Sequence, residues 1–200
     1  MLKVGLTGGV ACGKSTVSAM FRELGARIID ADVLAREALE PGRPAYKDTV
    51  CIFGKRILGS DGRIDRKALA GIVFGDPAKR SMLEAVVHPR VFEEEERIYD
   101  EMAVSDPHRL IIFDAALICE TGADKRLDRL VVVWCRPETQ LKRLIGKSGM
   151  SKEDAILRLQ AQMPIDEKRK HATHVVDNDG GMEDTRAQVE RIYRELAQYV

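Results

Sequence analysis

The segment Gly8-Gly9-Val10-Ala11-Cys12-Gly13-Lys14-Ser15 constrains this chain more than any other. It reads G-x-x-x-x-G-K-S, follows the apolar run Leu2 to Leu6, and leads into Thr16-Val17-Ser18-Ala19-Met20-Phe21. A strand, a glycine turn and a helix start in that order make a phosphate cradle. The glycines let backbone N–H groups turn toward anionic oxygens, and the helix N-terminus adds partial positive charge. Lys14 then reaches the β- and γ-phosphates, while the Ser15 hydroxyl ligates Mg²⁺. The residues expected to hold a nucleoside triphosphate are Gly8, Gly9, Ala11, Cys12, Gly13, Lys14, Ser15 and Thr16.

Short β-branched runs recur between helical segments: Leu2 to Leu6, Ala26 to Ile29, Leu110 to Phe113, Leu130 to Trp134 and His174 to Val176. Several are continuously apolar, as parallel strands covered on both faces should be. Val17, Met20, Phe21 and Leu24 stand at i, i+3, i+4 and i+7, and Gly25 ends that helix. Val189, Ile192, Tyr193 and Leu196 repeat the pattern, and Pro137 suits the first turn of a helix carrying Leu141, Leu144 and Ile145. The expected fold class is α/β, with helices on both faces of a mostly parallel, five-stranded sheet.

Residues 39–108 contain no convincing strand. Their apolar residues fit several helices, interrupted at Pro41-Gly42, Gly59 to Gly62, Asp76-Pro77 and His88-Pro89. The run Glu93 to Glu96 reads as a solvated helical face rather than a metal site. A smaller candidate lobe spans 146–170, where Ser151 and Asp154 form a capping-box pattern and Pro164 interrupts the following helix. The expected organisation is a core of 1–38, 109–145 and 171–200, a helical substrate lobe at 39–108, and a second lobe at 146–170.

Thirty-two basic and 32 acidic residues cancel, so no overall field points to a nucleic-acid or membrane partner. No run of about 18 apolar residues exists to span a membrane. The N-terminus enters a strand without the marks of a signal peptide, and the expected address is cytoplasmic. Cys12, Cys51, Cys119 and Cys135 show neither C-x-x-C nor regular spacing, so neither a disulfide framework nor a zinc site is expected.

Phosphoryl transfer needs in-line positioning, neutralised charge and a group that orients or deprotonates the acceptor. The second strand ends in Asp30-Ala31-Asp32, where a carboxylate can take a proton from a hydroxyl or help hold Mg²⁺. In an extended segment both aspartates share a face; if the helix begins at Asp30, that residue caps it and Asp32 lies in the first turn. The third strand closes on Asp114, a metal-contacting acid or a simple cap. Arg143 precedes the 146–170 lobe, Arg158 lies within it, and Gln162 shares a face with Arg158.

The whole pattern resembles the dephospho-coenzyme A kinase family, a family of P-loop kinases. Beyond the phosphate loop, the resemblance rests on Ile29 to Asp32 with Ala35-Arg36 and Glu40-Pro41-Gly42, and on Asp61-Gly62-Arg63-Ile64-Asp65-Arg66 with Ala68-Leu69. It continues through Val73-Phe74, His88-Pro89, Pro137 to Arg143, Gln162-Met163-Pro164 and Val175 to Gly180. The resemblance implies a P-loop kinase-type three-layer core, a helical CoA lobe and a lid. It implies ATP and Mg²⁺ as cofactors and phosphorylation of the ribose 3′-hydroxyl of dephospho-CoA. By the same resemblance Asp32 is the general base, Lys14 and Arg143 serve catalysis, Arg143 and Arg158 face the phosphates, and Ser15 with Asp114 hold the metal. His88 reads as a structural hydrogen-bonding residue.

Four departures stand out. Ala11-Cys12 replaces the family's common Gly-Ser, and the nearby helix N-terminus, which lowers a thiol pKa, predicts an oxidisable or alkylatable Cys12 shielded by bound ATP. Asp114-Ala115-Ala116-Leu117 lacks the family's proline, so the turn there should differ. Gly146-Lys147-Ser148-Gly149 lacks an arginine common at that place, and Thr173 replaces a common aspartate. Two other readings stay open: a P-loop kinase of another small nucleotide or hydroxyl metabolite, and a nucleotide-dependent switch, although no Asn-Lys-x-Asp segment is present.

Overall fold

The computed structural model describes residues 2–73 and 75–200, with Lys147 and Ser148 described as backbone alone. Phe74 and the side chains of Lys147 and Ser148, which figure in the resemblance above, lie outside the described residues. In chain order the first elements are β1 (Lys3–Gly8), α1 (Lys14–Glu23), β2 (Arg27–Asp30), α2 (Ala31–Ala38) and α3 (Pro44–Phe53). Then come α4 (Arg66–Val73), α5 (Pro77–Ser105), β3 (Ile111–Asp114) and β4 (Arg129–Trp134). The last are α6 (Pro137–Ser148), α7 (Lys152–Gln160), α8 (Ile165–Lys170), β5 (His174–Asp177) and α9 (Met182–Leu196). The chain divides into two compact units, Met1–Ile29 with Glu101–Val200, and Asp30–Asp100.

In the first unit the sheet order is β2-β3-β1-β4-β5. β1 runs parallel to both β3 and β4, and β4 runs parallel to β5. β1 is therefore the central strand, and its register places Leu6 opposite Asp114 on one side and Val131 on the other. Ile111, Ile112 and Leu130 to Val133 are buried, as the continuous apolar runs require. Val17, Met20 and Phe21 of α1 and Val189, Ile192 and Leu196 of α9 join the same core. Burying each such side chain contributes about 1.5–3 kcal/mol. This core holds the carboxyl ends of β1 and β3 side by side, where open α/β sheets bind ligands.

The second unit is helical among its described residues, with a small core of Phe53, Ile57 and Leu69. The Asp61 to Arg66 segment folds back on itself: Asp61 Oδ1 accepts from Arg63 N at 3.0 Å, and Leu58 bridges Ile64. Asp65 Oδ1 then caps α4 by accepting from Lys67 N and Ala68 N at 2.8 and 3.2 Å. Much of that quoted motif is thus turn and cap chemistry.

Two expectations need correction. His88-Pro89 does not interrupt a helix, because α5 runs through Pro89 without a break. Proline removes one ladder hydrogen bond and bends the helix; the stripe Val87, Val91, Glu95 and Tyr99, buried at four-residue spacing, holds both halves in place. Nor is Glu93 to Glu96 a uniformly solvated face. Glu93 pairs with Arg90 and Glu94 with Arg97, but Glu95 is buried.

Candidate functional site

The phosphate loop begins where β1 ends, at Gly8. Cys12 N donates to Gly9 O at 3.0 Å, Ala11 takes a left-handed φ of 61°, and Gly13 a φ of 91°. A side chain at Gly13 would collide with the Asn178 amide, so glycine is required there by space as well as by φ. Thr16 N and Val17 N donate to Gly13 O at 3.0 and 3.2 Å, which starts α1 with no side-chain cap. The amides of Lys14 and Ser15 therefore lie outside the α1 ladder, at the positive end of the helix.

The loop is clamped from outside through its backbone. Val10 is gripped at both polar atoms: Gln140 Nε2 donates to its carbonyl at 2.7 Å, and Gln162 Oε1 accepts from its N–H at 3.0 Å. Asn178 Nδ2 donates to Cys12 O at 2.6 Å and is itself oriented by Thr185, whose hydroxyl donates to Asn178 Oδ1 at 2.9 Å. Arg143 donates to Asn178 O at 2.7 Å and to Ala11 O at 3.4 Å. Each bond contributes about 0.5–1.5 kcal/mol net, but together they fix a conformation the loop would not hold alone. Reading the residues singled out Arg143 and Gln162; it did not find Gln140, Asn178 or Thr185 as supports. Their partners lie far along the chain, and no local periodicity marks such a bond.

Lys14 forms an ion pair with Asp114, the carboxylate at the end of β3. Asp114 is 4% exposed, so this is a largely desolvated pair set under the loop. The segment after Asp114 is anchored without the missing proline. Ala116 O accepts from Thr7 Oγ1 at 3.1 Å and from Lys168 Nζ at 2.6 Å, and Lys168 also pairs with Glu120 at 2.8 Å. Lys168 is wholly buried. Thr173 accepts from Leu130 N at 2.9 Å and donates to Leu130 O at 3.1 Å, fixing the start of β5 against β4.

Three of the remaining residues differ in surroundings. Arg158 is exposed on α7, whose N-terminus is capped as expected by Ser151, accepting from Asp154 N at 3.0 Å. His88 sets its ring 6.2 Å from that of Phe92. Cys12 departs from expectation. It is 0% exposed, and its hydrogen bond with Cys135, followed by burial, holds its pKa well above the ordinary thiol value rather than below it. The effect of the helix N-terminus is outweighed.

In the second unit, the two aspartates have separate jobs. Asp30 is the N-cap of α2, accepting from Asp32 N at 2.9 Å and Val33 N at 3.1 Å. Asp32 lies exposed in the first turn, its carboxylate not spent on the cap. The same unit carries a cavity of about 310 Å³ between α2, α3 and α5, lined in part by Leu34, Glu37, Arg43 and Arg90.

The described residues contain no cluster of three or more metal-ligating side chains. Ser15 and Asp114 supply a hydroxyl and a carboxylate, two hard oxygen donors. That donor set fits Mg²⁺, which takes its other ligands from phosphates and water rather than from an all-protein cage.

Residues 2–184 match the family described as dephospho-CoA kinase. A dephospho-CoA kinase of Bacillus cereus is 44% identical over 191 residues, covering 96% of this chain and 95% of that protein. A crystal structure from Thermus thermophilus superposes with a TM-score of 0.81 at 36% identity, covering 98% of this chain and 97% of that one. The dephospho-CoA kinase of Campylobacter jejuni does so with a TM-score of 0.72 at 29% identity, covering 98% of both chains.

Proposed function

The chain belongs to the dephospho-CoA kinase family, and from that premise we propose that it transfers the γ-phosphoryl group of ATP to the ribose 3′-hydroxyl of dephospho-CoA. The products are CoA and ADP, and the reaction is the last step of coenzyme A synthesis. The observation that carries this reading is the phosphate loop itself, clamped at Val10 and Cys12 and backed by the Lys14–Asp114 pair. A loop held before substrate arrives meets developing negative charge without reorganising.

The residues divide the work as follows. The loop residues Gly8, Gly9 and Ala11 to Thr16 cradle the triphosphate, with the amides of Lys14 and Ser15 outside the α1 ladder, and Lys14 draws charge from the β- and γ-oxygens. Asp32 accepts the proton of the 3′-hydroxyl as its oxygen attacks phosphorus. Arg143 and Arg158 add positive charge at the phosphates. Ser15 and Asp114 hold Mg²⁺, which when bound neutralises phosphate charge.

Residues 39–108 form the CoA-binding lobe in this reading, and the cavity of about 310 Å³ within it, lined by both arginines and glutamates, offers space for a polar substrate. Residues 146–170 act as a lid, supported by the bond of Gln162 to Val10. Among the described residues no helix is long and apolar enough to cross a membrane, and a cytoplasmic place of action is part of the same proposal. The test is an acceptor panel: with ATP and Mg²⁺, initial rates are measured on dephospho-CoA, nucleoside monophosphates and small polyols. Dephospho-CoA should dominate in kcat/KM by at least about 10³-fold, the discrimination of a site that uses its polar contacts. A better rate on any other acceptor would overturn the assignment.

A further inference from the structure

The phosphate loop carries a chemical feature that phosphoryl transfer does not use. Cys12 Sγ and Cys135 Sγ lie 3.5 Å apart, and both residues are 0% exposed. One thiol belongs to the loop, between Ala11 and Gly13; the other follows the last residue of β4. We propose that Cys12 and Cys135 are an oxidisable thiol pair, closed by hydrogen peroxide to an intrachain disulfide that displaces the phosphate loop.

The geometry sets the direction of the movement. A disulfide needs an S–S separation of about 2.05 Å, so the sulfurs must approach by roughly 1.5 Å. Cys135 is held on both sides, by Asn178 N donating to Trp134 O at 2.8 Å and Arg136 N donating to Asp179 Oδ1 at 3.1 Å. Cys12 sits in a turn closed mainly by its own N–H to Gly9 O and by Asn178 on its carbonyl. Cys135 follows a strand paired on both edges, by β1 and β5, whereas Cys12 lies in a loop held from outside by side-chain bonds alone, so the loop is the part that shifts, against those clamps. Any shift of Cys12 strains the Asn178 bond and is passed to Gly13 and Lys14, its immediate successors.

The chemistry balances with peroxide as the sole oxidant. The Cys135 thiolate attacks one peroxide oxygen, the O–O bond breaks, and the departing hydroxide leaves as water once protonated, giving a sulfenic acid. Cys12 sulfur then attacks Cys135 sulfur, the S–O bond breaks, and a second water leaves with the Cys12 proton. Two thiols and one hydrogen peroxide give one disulfide and two waters, with two electrons passing from sulfur to oxygen. The same balance holds whichever of the two sulfurs is oxidised first, because they lie in contact. Cys119 is buried and Cys51 exposed, and neither shares the contact between Cys12 and Cys135.

The full chain is treated with hydrogen peroxide, alkylated with and without prior reduction, and mapped by peptide mass. In parallel, ADP affinity is measured by calorimetry. The expected result is a linked Cys12–Cys135 peptide, an affinity at least tenfold weaker, and recovery of both after dithiothreitol. Cys135→Ser should bind ADP as the untreated protein does and keep that affinity through peroxide treatment; Cys135→Ala, with folding checked by circular dichroism, provides the same comparison if the serine is not tolerated. Absence of the linked peptide, an unchanged affinity once it forms, or equal loss of binding in the Cys135 variants would each overturn the proposal. The affinity arm rests on the nucleotide-binding reading above. Failure of the reduced protein to bind ADP would defeat that reading, while the peptide map alone decides whether the bond forms.

Discussion

Ala11 holds a backbone conformation that glycine adopts freely and alanine does not. The left-handed region costs a residue with a Cβ about 1–2 kcal/mol, offset in part by the larger entropy that glycine loses on folding. Ala11→Gly should therefore stabilise the protein by about 0.5–1 kcal/mol and raise Tm by about 1–4 °C. A lowered Tm would show that the loop is unstrained at this position. Asp30 and Asp32 illustrate what single residues disclose. Their spacing allowed a shared face or a cap, and the structure selects the cap, because a carboxylate two residues upstream satisfies amides that α2 leaves open. That leaves the Asp32 carboxylate available for the proton transfer proposed above. Asp32→Asn should bind ATP within about twofold of the parent while single-turnover transfer falls about 10²- to 10⁴-fold. An unchanged transfer rate would remove Asp32 from the mechanism. For Cys12, residue-level reasoning saw the helix N-terminus but not Cys135, 123 positions away, whose hydrogen bond decides the thiol's behaviour.

At the level of elements, α8 carries a buried cation, Lys168. Lys168 reaches from α8 to Ala116 O and to Glu120, tying the segment after β3 to the helix before β5. Lys168→Met should cost about 2 kcal/mol in urea denaturation, because it leaves Ala116 O with Thr7 Oγ1 alone and Glu120 with Met163 N in place of a buried ammonium group. A cost under about 1 kcal/mol would mean that water replaces the ammonium group. The strands were legible in the sequence because continuous apolar runs such as Leu130 to Trp134 suit only doubly covered positions. Lys168 was not: it stands in a charged stretch, Asp166 to Lys170, that reads as solvated, and only tertiary packing separates it from its neighbours. Pro89 was misread for the complementary reason. A local breaker rule lost to the buried stripe along α5.

At the scale of the whole molecule, the five strands, their helices and the place of the phosphate loop follow from patterns a few residues long. The strand order β2-β3-β1-β4-β5 does not, since it depends on pairings such as Val4 with Ile112 across the chain. The division into Met1–Ile29 with Glu101–Val200 and Asp30–Asp100 puts Lys14 in one unit and Asp32 in the other. The proposed phosphoryl transfer assigns a role to each of these two residues. Incubation with ATP, Mg²⁺ and dephospho-CoA, followed by mass spectrometry and phosphorus NMR of the product, tests that account most directly. The account predicts a product one phosphoryl group heavier, esterified at the ribose 3′-oxygen, formed one-for-one with ADP. Dephospho-CoA recovered unchanged while ATP is hydrolysed, or a phosphate on a different oxygen, would contradict it.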